Sequence, residues 1–350
     1  MDDPMSPTEK RITLKDLASL CHVSIMTASR AFRQNAVIDP ETRARILRAA
    51  NALNYHAPAP RGRPGLSGQK RPRQIQLIFG IRNGNTAYFH MRLLTAVEQQ
   101  LALRGFECVI RTSTGDSDIF LRLLDNAVRH KCAGTMIMGD FPQEQFSALL
   151  DALPGAVLLD APGDGGTGSA CSSFSFDNRS AAVLGVEHLV RDCGRKRILL
   201  VSGSINHFFS REILAGCREA LESGGLPFDE DLVLYTDFSA ASAARAMREF
   251  IGRNIPFDAV FTNDEMATGV YRVLQENRIA IPQKVSVCGC DDLPVGKQLF
   301  PELTSISLDY ETLARHAAEY ISDGSRRLCN AIHLKLAPVL RPGASTAVRP

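Results

Sequence analysis

The chain has 350 residues, which allow two or three domains, and a formal net charge of +2. Residues 1–73 carry 13 Lys and Arg against 6 Asp and Glu, a net +7, which leaves −5 for the rest of the chain. A basic head on a mildly acidic body favours polyanion binding by the head, although a solvated basic terminus has the same composition. The sequence contains no apolar run of about 18 residues. Its first residues also lack the apolar core of a signal peptide. We therefore expect a cytoplasmic protein.

The cysteines indicate packing rather than metal binding. There are nine, scattered along the chain, and no CxxC pair occurs among them. Cys288 and Cys290 alternate with other residues in an apolar run, which places both on one face of a strand. We expect reduced thiols, no metal site and no cofactor.

The first predicted elements are three short helices within residues 12–55. Thr13 is a good N-cap for a helix over 14–20, with Asp16 placed to complete a capping box. After a turn at Cys21-His22, Ser24 caps a second helix that runs to about Arg33. A third helix starts at Asp39-Pro40 and runs to about residue 53. The residues that we expect to face inward are Leu14, Leu17, Ala18, Ala28, Phe32, Ile46, Ala50 and Leu53.

Two short helices, a tight turn and a third, bracing helix predict a helix-turn-helix. In that motif the second helix enters the major groove of DNA by its N-terminal end. Here that end carries Ile25, Met26, Thr27, Ser29 and Arg30. A small helical bundle that binds protein would show the same spacing.

The next stretch, "APAPRGRPGLSGQKRPR" at 57–73, is rich in Pro, Gly and basic residues and is predicted to be a linker. Strand-like apolar runs then alternate with helical patterns. The predicted strands are 75–80, 106–110, 134–139, 156–160, 197–203, 232–235, 258–263 and 285–290. The predicted helices are about 89–103, 118–130, 142–151, 210–223, 239–252 and 264–276.

This alternation predicts an α/β region with two parallel, doubly wound sheets, one in each of two lobes. Ligands of open α/β folds bind beyond the carboxyl ends of the strands, so a cleft between the lobes is the expected site. The Gly-rich stretch "GDGGTG" at 163–168 has the wrong spacing for a dinucleotide-binding motif and no following helix, which favours a loop over a phosphate cradle.

The N-terminal residues resemble the lactose-repressor (LacI) family of bacterial transcription regulators. The stretch "TLKDLASLCHVSIMTASRAF" matches the family pattern at Thr13, Asp16, Ala18, Val23, Ser24, Thr27, Ser29 and Arg30. Later matches are Thr42, Arg43, Ile46, Leu53 and Tyr55, and the resemblance continues over nearly the whole chain. It implies an all-α DNA-binding headpiece joined to a two-lobed effector domain that resembles periplasmic binding proteins.

Two departures from the family pattern matter for DNA recognition. The usual Ala-Gly of the turn is Cys21-His22 here, and we expect His22 to accept a positive φ. The specificity positions, usually polar or aromatic, are Ile25 and Met26. Our hypothesis is that these two side chains contact thymine methyl groups while Arg30 donates hydrogen bonds to a base.

The linker also departs from the family, whose hinge helix pries open the minor groove with a leucine. Arg61 and Leu66 can be aligned with that helix, but five Pro and Gly residues at 58–65 oppose one. A flexible basic tether that holds phosphates remains the alternative. The expected DNA-contacting residues are Thr13, Ser24, Ile25, Met26, Thr27, Ser29, Arg30, Arg33, Arg61 and Leu66.

In the effector domain, the resemblance implies hydroxyl-binding roles for Arg211, Asn263 and Asp291, and it adds Asp177 from the motif "SFSFDN". The residue chemistry agrees, since Arg is a fork of donors and Asp an acceptor. Tyr88, Phe89 and Phe238 are candidate aromatic faces for a sugar ring. Core packing of Phe238 and an ion pair between Arg211 and Asp291 remain open as alternatives.

Together these observations predict a headpiece at 1–56, a hinge or linker at 57–74, an effector-binding and dimerisation domain at 75–341 and a polar tail at 342–350. The lobes would span about 75–175 and 177–303, with 304–341 crossing between them. We expect the chain to cross from lobe to lobe near 161–176, near 290–306 and at a C-terminal helix. The expected function is a homodimeric, sequence-specific DNA-binding regulator, a repressor controlled by a small carbohydrate, with no enzyme activity and no membrane partner. The rival functions are a regulator that binds a nucleobase or a phosphorylated metabolite as co-repressor, and an enzyme on the same two-lobed frame.

Overall fold

The computed structural model describes residues 13–32, 38–53, 73–81, 88–161, 171–323 and 331–347. The chain divides into two compact units, residues 1–70 and 71–350. Within the described ranges, the first unit is all helical, and the second combines helices with two six-stranded sheets.

The first unit has a small core between three short helices. These are α1 (Leu14–Leu20), α2 (Ile25–Ala31) and α3 (Pro40–Ala52). Leu17, Ala28 and Ile46 are fully buried, so the apolar faces predicted from the sequence meet as expected. Helix α2 ends at Ala31, two residues before the predicted end at Arg33.

Local hydrogen bonds at the helix starts explain why this short stretch is helical. The Thr13 backbone N–H donates to Asp16 Oδ2 at 2.8 Å, and the Asp16 N–H donates back to Thr13 Oγ1 at 3.3 Å, which confirms the capping box. Ser24 Oγ accepts from the Thr27 N–H at 3.0 Å at the start of α2. Each such cap stabilises a helix by about 1 kcal/mol. The turn between α1 and α2 contains His22 at φ 49°, the positive φ that the sequence predicts.

The second unit alternates strands and helices along the chain. Its strands are β1 (Arg73–Gly80), β2 (Phe106–Ser113), β3 (Gly134–Gly139), β4 (Val157–Leu159), β5 (Ser173–Phe176), β6 (Ile198–Ser202), β7 (Val233–Tyr235), β8 (Ala259–Phe261), β9 (Ser286–Cys290), β10 (Thr304–Ser307), β11 (His333–Leu336) and β12 (Val339–Arg341). Its α-helices are α4 (Tyr88–Ala102), α5 (Ser117–Arg129), α6 (Gln143–Ala152), α7 (Asn178–Glu187), α8 (Phe208–Ser223), α9 (Ala240–Gly252), α10 (Asp264–Glu276), α11 (Pro294–Gln298) and α12 (Tyr310–Ser322).

Two sheets form two lobes, as predicted. The first has the order β11-β5-β4-β3-β1-β2, and its strands pair in parallel. The second has the order β12-β10-β9-β8-β6-β7, and its strands also pair in parallel except that β12 runs antiparallel to β10. Because parallel strands share one direction, the carboxyl ends of five strands lie along one edge of the second sheet.

The chain passes between the lobes at three places. It leaves β5 at Phe176 and enters α7 at Asn178, returns between β10 and α12, and leaves again between β11 and β12. The first two passages lie later than the positions expected near 161–176 and 290–306. The reason is that residues 173–176 and 304–307 are themselves sheet strands, which the sequence pattern did not reveal.

Apolar side chains cover both faces of each sheet, which makes these sheets the cores of their lobes. Cys288 and Cys290 lie together in the cluster beside α7 and α8, which confirms their predicted packing role on one face of β9. Among the described helices, none combines the length and apolar character that a membrane crossing requires.

Close packing of α7 on α8 generates a stability prediction. A methyl group at Gly216 on α8 would collide with the carbonyl oxygen of Arg179 on α7, whereas Gly252 at the end of α9 faces open space. We expect Gly216→Ala to lower the free energy of unfolding by about 1–3 kcal/mol through overpacking. Gly252→Ala is the matched control and should cause no loss. Urea unfolding measures both, and equal stabilities of the two variants would contradict the close helix contact.

Candidate DNA-binding surface and ligand cleft

The start of α2 presents an exposed surface of mixed chemistry. Ile25 is 50 % exposed and Met26 is 65 % exposed, while Ala28 and Ala31 face the core. Arg30 is also exposed, one turn after Met26. Two large apolar side chains on the surface of so small a unit are costly to hydrate, which is typical of a contact surface.

Polar contacts around α2 fix its start and its end. Ser24 Oγ and Thr27 Oγ1 lie 2.8 Å apart, so the two hydroxyls hold one another at the N-terminal end of the helix. At the other end, Arg43 Nε on α3 donates to the Ala31 carbonyl at 3.1 Å, a brace that the sequence did not reveal. Ser29 is half-buried and Thr13 is exposed. Arg33, Arg61 and Leu66 lie outside the described residues, and their DNA contacts stay predictions.

In the second unit, contacts between the lobes surround the carboxyl ends of the strands. The Tyr310 hydroxyl, on the first lobe, donates to the Asp291 carbonyl of the second lobe at 3.2 Å. Arg92 on α4 donates to the Asp292 carbonyl at 2.8 Å, and its guanidinium lies 4.3 Å from the centre of the Tyr310 ring. These contacts define a cleft between the lobes.

Arg211 and Asn263 are held by local hydrogen bonds at helix starts of the second lobe. Arg211, exposed in the first turn of α8, donates to the Asn206 carbonyl at 2.7 Å. The alternative ion pair between Arg211 and Asp291 is not formed in the described residues. Asn263 caps α10, its Oδ1 accepting from the Met266 N–H at 2.8 Å, which leaves the amide N–H groups of its side chain for a ligand.

Phe238 is a half-buried ring after the end of β7. Its backbone has φ 68°, and its side chain packs so closely over Gly203 that a methyl group there would overlap the ring. The His207 and Phe209 rings lie 5.2 Å and 5.9 Å from it, centre to centre. Phe238 therefore packs on Gly203, as the core-packing alternative predicts, and the half-buried ring retains exposed surface for a ligand.

The other candidate residues of the cleft have different surroundings. Tyr88 is 64 % exposed at the first position of α4, whereas Phe89 packs against Phe176 and Tyr310. Asp177 caps α7, and both of its carboxyl oxygens accept from Ser180, at 3.1 and 2.8 Å. The structure therefore gives Asp177 a capping role at a passage between the lobes, and its effector contact stays a prediction.

Three carboxyl groups, those of the buried Asp264 and Asp291 and of the half-buried Asp160, dominate the electrostatics of the cleft. Asp291 is only 3 % exposed, and burial followed by repulsion from Asp264 and Asp160 raises its pKa well above the usual range. Burial likewise raises the pKa of Asp160, after β4, to about 7, and that of Asp264, at the start of α10, to about 7. The sequence motifs pointed to Asp291, but nothing in the pattern around Asp160 did so.

Histidines from both lobes also approach the cleft. His90 on α4 lies 5.3 Å from the Phe79 ring, and burial followed by the charge of His207 lowers its pKa to about 4. At neutral pH His90 is therefore uncharged and adds no positive charge to the carboxyl groups.

Comparisons with known proteins agree with this architecture. Residues 13–58 match the family described as bacterial regulatory proteins, lacI family, and residues 186–346 match the periplasmic binding protein-like domain. The chain is 28 % identical to the HTH-type transcriptional regulator GalR of Escherichia coli strain K12 over 88 % of this chain and 87 % of GalR. It is 27 % identical to the ribose operon repressor of the same strain, over 88 % of this chain and 92 % of the repressor.

Solved structures agree over almost the full length. A transcriptional regulator CelR-cellobiose complex superposes with a TM-score of 0.70 at 26 % identity, covering 96 % of this chain and 100 % of CelR. The lac repressor dimer bound to operator and an anti-inducer also gives a TM-score of 0.70, at 23 % identity, covering 96 % of this chain and 99 % of the repressor chain. The second likeness shows the shared fold.

The raised pKa of Asp160 generates a prediction of pH dependence. Since its folded pKa of about 7 exceeds the usual aspartate pKa of 3.8, the native state binds more protons than the unfolded state between these values. Stability from this group is therefore lost as the pH rises from about 4 to about 7. Asp160→Asn removes the charge, and asparagine tolerates the φ of 49° at this position as aspartate does. We expect the variant to melt several degrees higher than the wild type at pH 8, and no higher at pH 4.5.

The control for this prediction is Asp125→Asn, which neutralises an exposed carboxylate on α5 that pairs with Arg129. Thermal melts at the two pH values compare the three proteins. A stability gain for Asp160→Asn of the same size at both pH values would contradict the assignment of a raised pKa to this group.

Proposed function

This chain belongs to the lacI family of bacterial regulatory proteins and is a DNA-binding transcriptional regulator, and from that premise we propose that it acts as a homodimeric repressor controlled by a small carbohydrate. The carbohydrate binds in the cleft between the two lobes of the second unit. The effector changes the affinity for DNA by favouring one arrangement of the lobes, a coupling between two distinct sites.

The exposed start of α2 is the observation that supports the DNA-binding part of the proposed function. In a helix-turn-helix the N-terminal residues of the second helix contact base edges in the major groove. Here those residues are Ile25 and Met26, followed by Arg30 one turn later. Apolar side chains contact thymine methyl groups and Arg donates to guanine. We therefore expect a DNA half-site with T near Ile25 and Met26 and G near Arg30.

The effector half draws support from relatives and from the chemistry of the cleft. One relative is a ribose operon repressor, and one superposing structure is a complex of CelR with cellobiose. Asp291 would accept hydrogen bonds from ligand hydroxyls, and Arg211 and Asn263 would donate to them. Phe238 and Tyr88 would offer ring faces, with Phe89 behind them in the wall of the cleft.

The carboxyl groups of the cleft argue against a phosphorylated metabolite as the effector. A phosphorylated ligand would bring two negative charges beside the carboxyl groups of Asp160, Asp264 and Asp291, which repel it when ionised and offer it no positive charge when protonated. Like charges in a low-dielectric site repel strongly. The enzyme alternative finds no support among the relatives, which are transcriptional regulators.

The homodimer is supported by exposed apolar side chains on the first lobe. β2 is an edge strand of its sheet and exposes Ile110, while the neighbouring α5 exposes Ile119 and Leu121. An edge strand with apolar side chains is a surface that proteins usually cover. A superposing structure is a lac repressor dimer bound to operator, and a two-fold dimer reads two half-sites of a palindrome.

The first prediction of this function concerns DNA sequence preference. From a pool of random duplexes, the wild type should select a palindrome with T in each half-site, and the double variant Ile25→Ala with Met26→Ala should lose that T. Each mismatched pair in a specific site costs about 1–3 kcal/mol, so discrimination at these positions should fall roughly tenfold or more. Leu47→Ala on α3, also exposed, is the control and should select the wild-type site. An unchanged preference in the double variant would rule out readout by the apolar pair.

The second prediction separates effector binding from DNA binding. Arg211→Ala should abolish the response of operator affinity to the effector, because it removes a donor of the cleft, while leaving affinity for the operator within about twofold. Arg248→Ala on α9 is the matched control, since Arg248 pairs with Glu276 on the surface of the same lobe. Fluorescence anisotropy of labelled operator, titrated with a panel of sugars, measures both effects. A full response in Arg211→Ala would exclude Arg211 from the effector site.

A further inference from the structure

Two carboxyl groups, one from each lobe, approach the cleft with an oxygen that no group in the described residues binds. Asp160 follows β4 of the first sheet, and Asp291 follows β9 of the second. In both residues Oδ1 is buried and makes no hydrogen bond in the described part of the chain. Such atoms are rare in folded proteins, because a buried acceptor without a donor costs free energy.

The positive charges near these carboxyl groups have other partners, including Arg211, which donates to the Asn206 carbonyl at 2.7 Å. Arg341 and Lys297 lie 2.8 Å and 4.0 Å from the carboxylate of Asp292, not from Asp291. Arg92 donates to the carbonyl of Asp292 and lies over the Tyr310 ring. Within the described residues, neither Asp160 nor Asp291 has an ion-pair partner.

The remaining acidic groups make the shortage of positive charge larger. Asp264 is satisfied by donors, the Ser305 hydroxyl and the Leu293 N–H, both at 2.6 Å, but these donors carry no charge. Glu265 is a further carboxyl group whose charge raises the pKa of Asp291, and the buried Cys290 thiol lies beside Asp291. His90, facing the cleft from α4, is neutral at pH 7. Burial, followed by repulsion from Asp264 and Asp160, raises the pKa of Asp291 well above its usual range, which favours the protonated carboxyl when nothing cationic is bound.

From this geometry we propose that the effector is a hydroxylated amine, such as an amino sugar or an amino alditol, whose ammonium group lies between the Asp160 and Asp291 carboxylates. An ammonium group has three donors and no acceptor, so one group can satisfy both bare oxygens and supply the missing charge. The hydroxyl groups of the ligand are held by Arg211 and Asn263. The inference rests on the proposed function, in which the cleft holds a small carbohydrate, and it adds the charge of that ligand.

Binding of such a ligand releases protons. The carboxyl groups must ionise to form the charge-assisted hydrogen bonds, and the ammonium group then keeps them ionised. Affinity for a protonated amine should therefore rise between pH 5.5 and 7, whereas affinity for a neutral polyol should not.

The experiment is isothermal titration of the full-length protein with matched pairs of probes at pH 6.5. The pairs are D-glucosamine with D-glucose, D-galactosamine with D-galactose, and D-glucamine with D-sorbitol, and cadaverine serves as an amine without hydroxyl groups. We expect at least one amine to bind tenfold or more tightly than its hydroxyl counterpart. Its apparent enthalpy should change with the ionisation enthalpy of the buffer, which reports proton release.

Variants assign the effect to the two carboxyl groups. Asp160→Asn and Asp291→Asn should each reduce the preference for the amine by tenfold or more and abolish the proton release. Asp125→Asn, which neutralises an exposed carboxylate on α5, should change neither. Melting curves identify any variant that fails to fold; for such a position, the matched pairs of probes on the wild type still decide the inference.

The possible outcomes separate this inference from the proposed function. If a neutral sugar binds as tightly as its amine counterpart and neither releases protons, the proposal of a hydroxylated amine is overturned. The carbohydrate effector of the proposed function then stands. If only cadaverine binds, and Asp291→Asn abolishes that binding, the cleft takes a cation without hydroxyl groups, which overturns both the hydroxylated amine and the carbohydrate effector. If no amine binds at pH 6.5 or at pH 7, the inference is overturned.

Discussion

Parallel strand pairing is the constraint on which the ligand cleft depends. In a parallel sheet every strand ends at the same edge, so the residues that follow the strands collect there whatever their separation in sequence. Asp160 and Asp177 reach that edge from the first sheet, and Phe238, Asn263 and Asp291 reach it from the second. Contacts of Tyr310 and Arg92 with residues 291 and 292 then bring the two edges together. The position of the cleft therefore depends on the strand topology more than on any single side chain.

The sequence predicts most of this fold because its strands are apolar and its helices are capped. The predicted strand at 134–139 and the predicted helix at 264–276 have the bounds that the structure shows. Strands β5, β10, β11 and β12 are not predicted, since "SFSF", "TSIS", "HLKL" and "VLR" are at most four residues long and contain Ser, Thr, His, Lys or Arg. Their pairing depends on neighbouring strands far away in sequence, which local patterns do not encode.

The residues of the candidate site also divide into those that the sequence predicts and those that only the folded structure reveals. Residues in recognisable motifs, such as Arg211, Asn263 and Asp291, could be proposed from the sequence, and they stay predictions as effector contacts. Asp160 could not, because "VLLD" is only a buried strand followed by an acid, and the depth of burial comes from the folded lobes. The role of Arg92 was hidden for a similar reason: its partner Asp292 lies 200 positions further along the chain.

The three passages between the lobes have a consequence for the integrity of the chain. Two of them lie side by side, since β5 and β11 are paired and the Asp177 N–H donates to the Leu336 carbonyl at 2.9 Å. A protease that cut any one passage would leave the lobes joined by two covalent connections. A nicked molecule should therefore keep its lobes together and separate into fragments only in denaturant, so gel bands alone would overstate the damage to the folded protein.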